Sequence, residues 1–278
     1  MNLKKFFIRL TTAFLVFFIA GCSSTTDKSN TSTTSQDSEV TIYFARHGKT
    51  MLNTVDRSQG WIDAPLTPAG IEIAEYLGKG MKEADITFDK VYTSTSGRAM
   101  ETADLILANN GQEGMDYTTD KRLREFNFGT YEGMMNEEMW EVVATAQGRT
   151  LDEFISGMSK DGFYKSIQDF ADTLSKLDKE NVEEGVNWPA EDSATIIARL
   201  TESLYDIVAD AEKEGHKNVL VVSHGMSIIT LLGELDANTE LPATGLKNAS
   251  ISTVTYKDGK YSIETVNDMT YVENGQSK

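Results

Sequence analysis

The chain contains only three histidines, and two of them share a local pattern. His47 and His224 are each followed by glycine, and the residues before them, Arg46 and Ser223, can donate hydrogen bonds to an anionic group such as phosphate. A glycine beside the histidine lets a ligand approach the backbone closely. The repeated pattern predicts a functional site that contains both histidines. The third, His216, lacks this pattern and is interpreted as a surface residue.

Each of these histidines follows a predicted β-strand. The segment 40–44, Val-Thr-Ile-Tyr-Phe, is rich in β-branched and aromatic residues and ends just before the first pair. The segment 219–222, Val-Leu-Val-Val, is continuously apolar, as expected of a strand buried on both faces. In open α/β sheets, ligands bind beyond the carboxyl ends of the strands. Both histidines are therefore predicted to lie where a ligand would bind.

The rest of the chain alternates helical and extended patterns. Helices are predicted over 68–84, 97–109, 193–215 and 226–235, a strand over 90–93, and a C-terminal β-hairpin over 251–266 with its turn at Asp258-Gly259. This alternation predicts an α/β fold, a three-layer sandwich in which helices flank a mostly parallel sheet. Residues 134–189 show helical patterns near 137–146 and 166–177, broken by Gly148, Gly157 and Gly162, and they are predicted to form a helical insertion or lid.

The net charge limits the partners that the chain can bind. The formal net charge is −17. A nucleic-acid-binding surface needs a basic stripe that neutralises backbone phosphates, so the composition excludes nucleic acid as a partner. An acidic surface also repels small anionic substrates at long range. If the substrate is a phosphate ester, its binding requires positive charge concentrated within a pocket.

The N-terminus has the layout of a secretory signal. Basic residues at positions 4, 5 and 9 precede an apolar run over 10–20, which is too short for a comfortable transmembrane helix. The sequence Ile19-Ala20-Gly21-Cys22 resembles a bacterial lipobox, and this resemblance implies cleavage before Cys22 and lipidation of that residue. Cys22 is the only cysteine, so the chain has no internal disulfide and no multi-cysteine metal site.

Residues 23–38 are almost entirely polar, and such a segment cannot bury enough apolar surface to fold. We therefore expect residues 1–21 to be a signal peptide, 22–38 a flexible tether and 39–278 the folded domain. On this interpretation the protein resides in the cell envelope. It is held at the outer face of the membrane only through the lipid on Cys22.

The two histidine pairs belong to a longer series of motifs that lies between Thr41 and about Leu232. In chain order the motifs are Arg46-His47-Gly48-Lys49-Thr50 with Asn53, Arg57-Ser58-Gln59-Gly60-Trp61, Asp63-Ala64-Pro65-Leu66-Thr67 with Gly70, Thr93-Ser94, Arg98-Ala99, Thr102-Ala103, Glu125 with Gly129, Glu132 and Gly133, and Ser223-His224-Gly225. Together these motifs resemble the histidine phosphatase superfamily, in its phosphoglycerate-mutase-like branch. The signal peptide, the tether and much of residues 134–189 lie outside the resemblance.

The resemblance implies a role for each of these residues. His47 is the expected nucleophile, which is phosphorylated transiently. Arg46 and Arg98 are expected to bind the phosphoryl oxygens, and their charges to keep His47 unprotonated. His224 is expected to donate to a phosphoryl oxygen, and Glu125 to protonate the leaving oxygen and later to activate water. Contacts to the substrate or its phosphate are expected from Asn53, Arg57, Gln59, Gly60 and Gly225.

Three alternatives stand beside hydrolysis of a phosphate monoester. His47, His224 and Glu125 could form a zinc site, although neighbouring arginines would repel a cation and no closely spaced ligand pair is present. A phosphoglycerate mutase shares the phosphohistidine step, but its substrates and phosphorylated primer are cytosolic. A non-catalytic binding module is the third, although every expected site residue is retained. We therefore predict a phosphatase that acts on a small phosphorylated substrate and uses no metal and no other cofactor.

Overall fold

The computed structural model describes residues 39–160 and 162–277. The predicted signal peptide, the lipidation site at Cys22 and the tether lie outside these residues and stay predictions. Within the described ranges, no helix combines the length and the hydropathy that crossing a membrane requires.

An open sheet of six strands forms the centre of the described domain. The strands are β1 (Val40–Arg46), β2 (Lys90–Ser94), β3 (Thr118–Asp120), β4 (Asn218–Ser223), β5 (Ile251–Lys257) and β6 (Lys260–Asp268). Their order across the sheet is β3-β2-β4-β1-β5-β6. The first four run parallel to one another, whereas β5 pairs antiparallel with both β1 and β6.

Helices cover both faces of this sheet. They are α1 (Met51–Thr54), α2 (Pro68–Glu83), α3 (Gly97–Asn110), α4 (Asn136–Ala146), α5 (Leu151–Lys160), α6 (Phe163–Asp178), α7 (Ser193–Glu214), α8 (Gly225–Leu235) and α9 (Thr270–Gln276). Short 3₁₀ turns lie at 121–123 and 129–131. Helices α2, α3 and α9 share one hydrophobic core, and α4 to α8 share the other.

Successive residues of β4 enter these two cores in turn. Val219 and Val221 belong to the core beneath α4 to α8, while Leu220 and Val222 belong to the core beneath α2, α3 and α9. All four side chains are completely buried, which is why β4 is continuously apolar. The predicted three-layer α/β sandwich with a mostly parallel sheet is confirmed.

The predicted helix and hairpin boundaries agree with the structure because the sequence carries their end signals. The side chain of Thr67 caps α2, and Pro68 occupies its first position. Asp192 caps α7, which ends at a left-handed Gly215. The hairpin of β5 and β6 turns at residues 258 and 259, both of which have positive φ.

Four elements have no counterpart in the sequence-based prediction: α1, β3, α5 and α9. Helices α1 and α9 and strand β3 are short, so periodicity gives them little signal. Helix α5 contains Gly157, at which the prediction interrupts the helical pattern. Helix α9 packs closely on α2, and a Cβ atom at Gly80 would lie 1.7 Å from the carbonyl oxygen of Tyr271. These elements depend on tertiary contacts more than on local propensity.

Helices α4, α5 and α6 form most of the segment 134–189. Val143, Phe154 and Phe170, one from each helix, belong to the same core as Phe44 of β1. The segment therefore extends the core on one face of the sheet and does not build a separate one.

The carboxylate of Glu132 holds the middle of the loop over residues 58–63. Its two oxygens accept hydrogen bonds from the backbone N–H groups of Gly60, Trp61 and Ile62 at 3.0, 2.7 and 3.2 Å. The N–H group of Phe128 donates a fourth bond at 3.1 Å. The carboxylate thus supplies acceptors for a loop that makes few backbone bonds of its own.

Replacing Glu132 by glutamine should therefore destabilise the domain. The new amide nitrogen cannot accept a hydrogen bond, so at least one backbone N–H group loses its partner. We expect Glu132→Gln to lower the free energy of unfolding by about 1–3 kcal/mol, measured by chemical denaturation. Glu141→Gln, at an exposed position in the middle of α4, is the matched control and should change it by less than about 0.5 kcal/mol. Equal stabilities of the two variants would contradict this account.

Candidate active site

The carboxyl ends of two adjacent parallel strands bring the two histidine pairs together. In the register of β1 and β4, Arg46 lies opposite Ser223, so the next residues, His47 and His224, emerge side by side. Their ring centroids are 5.2 Å apart and both side chains are buried. The predicted site therefore exists as one cluster at the end of the sheet where ligands bind in such folds.

The hydrogen bond of His47 determines which ring nitrogen is free. Nδ1 lies 2.8 Å from the carbonyl oxygen of Gly48, and a carbonyl can only accept, so Nδ1 carries the proton. The lone pair is therefore on Nε2. Burial and the adjacent charges of Arg98 and Arg46 hold the pKa of His47 well below its usual range. The side chain is neutral at physiological pH, with a nucleophilic nitrogen available.

His224 uses both ring nitrogens in contacts within the protein. Arg98 Nη2 lies 2.9 Å from Nδ1, and an arginine can only donate, so Nδ1 accepts and Nε2 carries the proton. Nε2 then donates to Ser94 Oγ at 2.8 Å. Burial, followed by the charge of Arg98, lowers the pKa of His224 well below its usual range. The predicted donation from His224 to a phosphoryl oxygen stays a prediction, since it requires Nε2–H to leave Ser94.

Arg98 is buried beneath the two histidines, with a relative exposure of 1%. Its guanidinium group donates to the carbonyl oxygens of Gly60 and Ile62 at 2.8 and 3.1 Å, and to Asp63 Oδ1 at 2.9 Å. The loop that Glu132 organises therefore positions this arginine. Arg98 Nε is buried and has no hydrogen-bond partner among the described residues.

Gly60 has a different role from the predicted one. Its N–H group donates to Glu132 and its carbonyl accepts from Arg98, so neither backbone group is left for a phosphate. A Cβ atom at this position would lie 2.1 Å from the carbonyl oxygen of Phe126, which explains the glycine. Gly60 supports Arg98 and does not line the cavity described below.

The two glycines that follow the histidines differ in their surroundings. A Cβ atom at Gly48 would lie 2.5 Å from the carbonyl oxygen of Gly70, at the start of α2. The sequence interpretation, that this glycine admits a ligand, is thus replaced for Gly48 by close packing against α2. At Gly225 a Cβ atom would lie 3.4 Å from Arg46 Nε, which is an ordinary van der Waals distance. Gly225 lines the cavity described below, and its contact with a substrate stays a prediction.

Arg46 lies beside His47 with part of its hydrogen-bonding capacity unused. Nη1 donates to the carbonyl oxygen of Leu246, while Nε is buried without a partner among the described residues. Burial lowers the pKa of Arg46 to about 10, although the nearby Glu125 charge opposes this effect, so the group remains protonated at neutral pH. Gln59 adds a third such donor, because its Oε1 accepts from Thr50 Oγ1 at 2.5 Å while Nε2 is buried and unpaired within the same ranges.

Glu125 caps the N-terminus of α8. Oε1 accepts from the N–H groups of Ser227 and Phe126 and from Ser227 Oγ, at 3.0 to 3.1 Å. Oε2 accepts a single bond, from Met226 N at 3.0 Å, and so retains a lone pair. The carboxylate is thus held rigidly at a helix N-terminus, where negative charge is favoured.

Arg199, a residue outside every motif of the sequence, positions Glu125 through the backbone. Arg199 of α7 donates to the carbonyl oxygens of Arg122, Arg124 and Glu125 at 2.7, 2.7 and 3.0 Å. It also forms an ion pair with Glu191 at 2.8 Å. In the sequence, Arg199 is one charged residue on a predicted amphipathic helix. Such residues usually face solvent, so the sequence does not mark it as part of the site.

The described residues enclose a cavity of about 270 Å³ above this cluster. Of the predicted site residues, the cavity is lined by Arg46, His47, Asn53, Arg57, Gln59, Glu125 and Gly225. Asn53 Oδ1 accepts from Thr50 N at 3.2 Å and from Asn248 Nδ2 at 3.3 Å, so its own amide N–H groups remain for a ligand. Arg57 Nη1 donates to the carbonyl oxygen of Gly133 at 2.7 Å at the exposed rim. Arg98 and His224 are buried and are not among the residues that line the cavity.

The geometry fits a zinc site poorly. Both nitrogens of His224 are engaged, and the carboxylate of Glu125 accepts four hydrogen bonds. Two guanidinium groups also lie within the cluster and repel a cation. Within the described ranges, no three His, Cys, Asp or Glu side chains are grouped so as to hold a metal ion.

Comparison with known proteins identifies the family. A family model described as the histidine phosphatase superfamily (branch 1) matches residues 42–183 and 151–269. The 2,3-bisphosphoglycerate-dependent phosphoglycerate mutase of Streptococcus mutans is 32% identical over 197 residues, which cover 69% of this chain and 82% of that protein.

Solved structures share the fold. The phosphoglycerate mutase from Bacillus anthracis is 39% identical with a TM-score of 0.76, and the match covers 87% of this chain and 99% of that one. A phosphoserine phosphatase from Entamoeba histolytica, at 22% identity and a TM-score of 0.58 over 84% and 99% of the two chains, shows the fold alone. On the extent of the family match and the identity to the mutases, this chain belongs to the histidine phosphatase superfamily.

Proposed function

We propose that the protein is a phosphatase that hydrolyses small phosphate monoesters through a phosphohistidine on His47. The observation that carries this proposal is the combination of a neutral His47, whose lone pair is on Nε2, with unused buried donors around it. Unpaired buried N–H groups each cost about 1–3 kcal/mol, and an anionic phosphoryl group would satisfy them. Arginines suit this task because their forked donors match phosphate oxygens.

In the first step, Nε2 of His47 attacks the phosphorus atom and the bond to the ester oxygen breaks. The phosphoryl oxygens accept from Arg46 and the amide of Gln59 as their negative charge is redistributed, and the buried charge of Arg98, which does not line the cavity, stabilises them electrostatically. The leaving oxygen takes a proton from Glu125, whose Oε2 has the free position to carry it. The products are the free alcohol and phosphohistidine.

In the second step, water attacks the phosphorus atom of the phosphohistidine. Glu125, now ionised, takes a proton from that water, and the bond between phosphorus and Nε2 breaks. The released group is inorganic phosphate, and His47 returns to its neutral form with the proton on Nδ1. The hydrogen bond from Nδ1 to Gly48 is maintained throughout and keeps the ring oriented.

A mutase-type phosphoryl transfer is the second candidate, because relatives named phosphoglycerate mutase are 32% and 39% identical to this chain. Such a reaction must hold a second anionic group of its substrate while the phosphoryl group moves. Apart from Arg46 at the floor, the lining residues of the cavity offer one cation, Arg57, and its Nη1 already donates to Gly133. Water as the acceptor makes no such demand. The retained catalytic residues in turn disfavour a non-catalytic binding module.

We also propose that the enzyme is attached to the outer face of the cell-envelope membrane through a lipid on Cys22. The support is the sequence alone: a basic start, an apolar run, a lipobox-like sequence and a polar segment up to residue 38.

The His47→Ala variant should release no inorganic phosphate from monoesters, because the nucleophilic nitrogen is removed. Brief incubation of the unaltered protein with labelled substrate should give an acid-labile, base-stable label on His47. The activity of the unaltered protein should be the same with and without EDTA, since guanidinium groups supply the positive charge that binds the phosphoryl group. His216→Ala, a histidine outside the cluster, is the control and should retain full activity. An active His47→Ala variant would disprove the mechanism, and loss of activity in EDTA that zinc restores would favour the metal site.

The Glu125→Gln variant should discriminate between leaving groups. Alkyl phosphates need a proton on the leaving oxygen, whereas an aryl phosphate releases a phenolate that departs without help. We expect kcat for alkyl esters to fall by about 10²–10⁴-fold and kcat for aryl esters to fall much less. A similar loss for both would show that Glu125 only orients α8. If no loss occurred, another acid would be required, and Glu132 does not qualify because four backbone N–H groups occupy its carboxylate.

The Cys22→Ala variant tests the membrane attachment. When the full chain is expressed in a bacterial host, the unaltered protein should sediment with the membrane fraction. Cys22→Ala should lose this association because it has no thiol to lipidate, whereas Ser23→Ala should behave like the unaltered protein. Membrane association of Cys22→Ala equal to that of the Ser23→Ala control would refute lipidation.

A further inference from the structure

The cavity above His47 has a polar floor and apolar walls. The floor is formed by Arg46, His47, Gln59 and Glu125, which the proposed phosphoryl transfer uses. Above them the walls consist mainly of large apolar side chains. The apolar wall residues include Phe128, Met139, Trp140, Met158, Ile167 and Phe170.

These walls come largely from the segment over residues 134–189. Met139 and Trp140 belong to α4, Met158 to α5, and Ile167 and Phe170 to α6. Phe170 packs edge-to-face against Phe128, with ring centroids 6.1 Å apart, so this part of the wall is fixed by the core. The methionines can adapt to ligands of different outline. The helices that lie outside the catalytic motifs therefore build the space that the leaving group occupies.

The polar groups available above the floor are few. Apart from the floor residues, Arg57 is the only charged residue among the described residues that line the cavity. It is exposed at the rim and donates to the carbonyl oxygen of Gly133. Of the uncharged polar side chains in the lining, Asn136 donates to Asp56 Oδ1 at 2.7 Å and Ser58 Oγ donates to the carbonyl oxygen of Tyr131 at 2.8 Å. The amide N–H groups of Asn53 and the hydroxyl group of Thr244 remain. A leaving group with several hydroxyl groups would bury most of them against carbon atoms and leave them unpaired, which costs free energy for each group. An apolar leaving group would instead gain free energy from leaving water.

We propose that the substrate class of this site is the phosphate monoester of an apolar alcohol or phenol that fits within the cavity of about 270 Å³. This inference rests on the proposed phosphatase function, because it assigns the leaving group that departs from His47. On this proposal, the segment 134–189 determines the substrate specificity through Trp140 and Met158, which line the cavity.

The experiment compares esters whose leaving groups differ in polarity and not in reactivity. Ethyl phosphate, glycerol 1-phosphate and 2-phenylethyl phosphate all release a primary alcohol, so the chemical step is matched. We expect kcat/KM for the phenylethyl ester to exceed that for the other two by about 10-fold or more. Equal values, or a preference for glycerol 1-phosphate, would overturn the proposal.

Two variants assign the preference to the apolar walls. Trp140→Gln and Met158→Gln should each reduce the ratio of kcat/KM between the phenylethyl and ethyl esters by about 5-fold. Both side chains are only half-buried, so either substitution is compatible with folding. Ile155→Gln is the matched control, because it lies on α5 but is exposed and does not line the cavity. Its ratio should stay at the level of the unaltered protein, and an unchanged ratio in both cavity variants would refute the assignment.

A binding measurement separates this inference from the proposed function. Calorimetric titration of His47→Ala with 2-phenylethylphosphonate and with ethylphosphonate requires no turnover. We expect the first to bind about 10-fold more tightly. If no ester is hydrolysed and yet this difference is found, the phosphatase proposal fails and the apolar specificity holds. If esters are hydrolysed and the two phosphonates bind equally, only the apolar specificity fails.

Discussion

Burial of the Arg98 guanidinium is the constraint on which the rest of the site depends. Removing a charge from water is costly unless its hydrogen bonds are replaced. Here the replacements are two carbonyl oxygens, the carboxylate of Asp63 and Nδ1 of His224. The carbonyl groups belong to a loop that has little structure of its own and is held by Glu132. One buried charge thus requires the carbonyl groups of this loop as acceptors and determines the tautomer of His224.

The same buried charges determine the state of His47. A histidine near water is partly protonated at neutral pH, and a protonated imidazole has no lone pair with which to attack phosphorus. Burial and the two arginines lower the pKa of His47, so the neutral form dominates. The arginines that would stabilise the phosphoryl group also prepare the nucleophile. The acidic surface of the protein, with a net charge of −17, makes this local concentration of positive charge necessary for an anionic substrate to bind.

Three carboxylates of the described domain accept hydrogen bonds from backbone N–H groups of loops and helix ends. Glu132 organises the loop beneath Arg98, while Glu125 occupies the N-terminus of α8, and Asp178 accepts from Thr130 N and Ala190 N at 3.1 and 2.8 Å. Chemically similar side chains therefore have different functions according to what lies beyond them. Glu125 alone of the three lines the cavity beside His47, and its Oε2 retains a free lone pair. Position, and not residue type, selects it as the candidate acid.

The sequence by itself determined the three-layer fold, the family and the residues that gather at the strand ends. Those features depend on local signals: periodicity, helix caps, apolar strands and motifs short enough to be contiguous. Tertiary structure alone decided the tautomer of each histidine, the supporting roles of Gly48 and Gly60, the positioning of Glu125 by Arg199 and the apolar walls above His47. Each of these depends on contacts between residues far apart in the chain, such as Arg98 with His224 or Phe128 with Phe170. A hydrogen bond or a cavity wall has no sequence signal when its two sides are brought together only by folding.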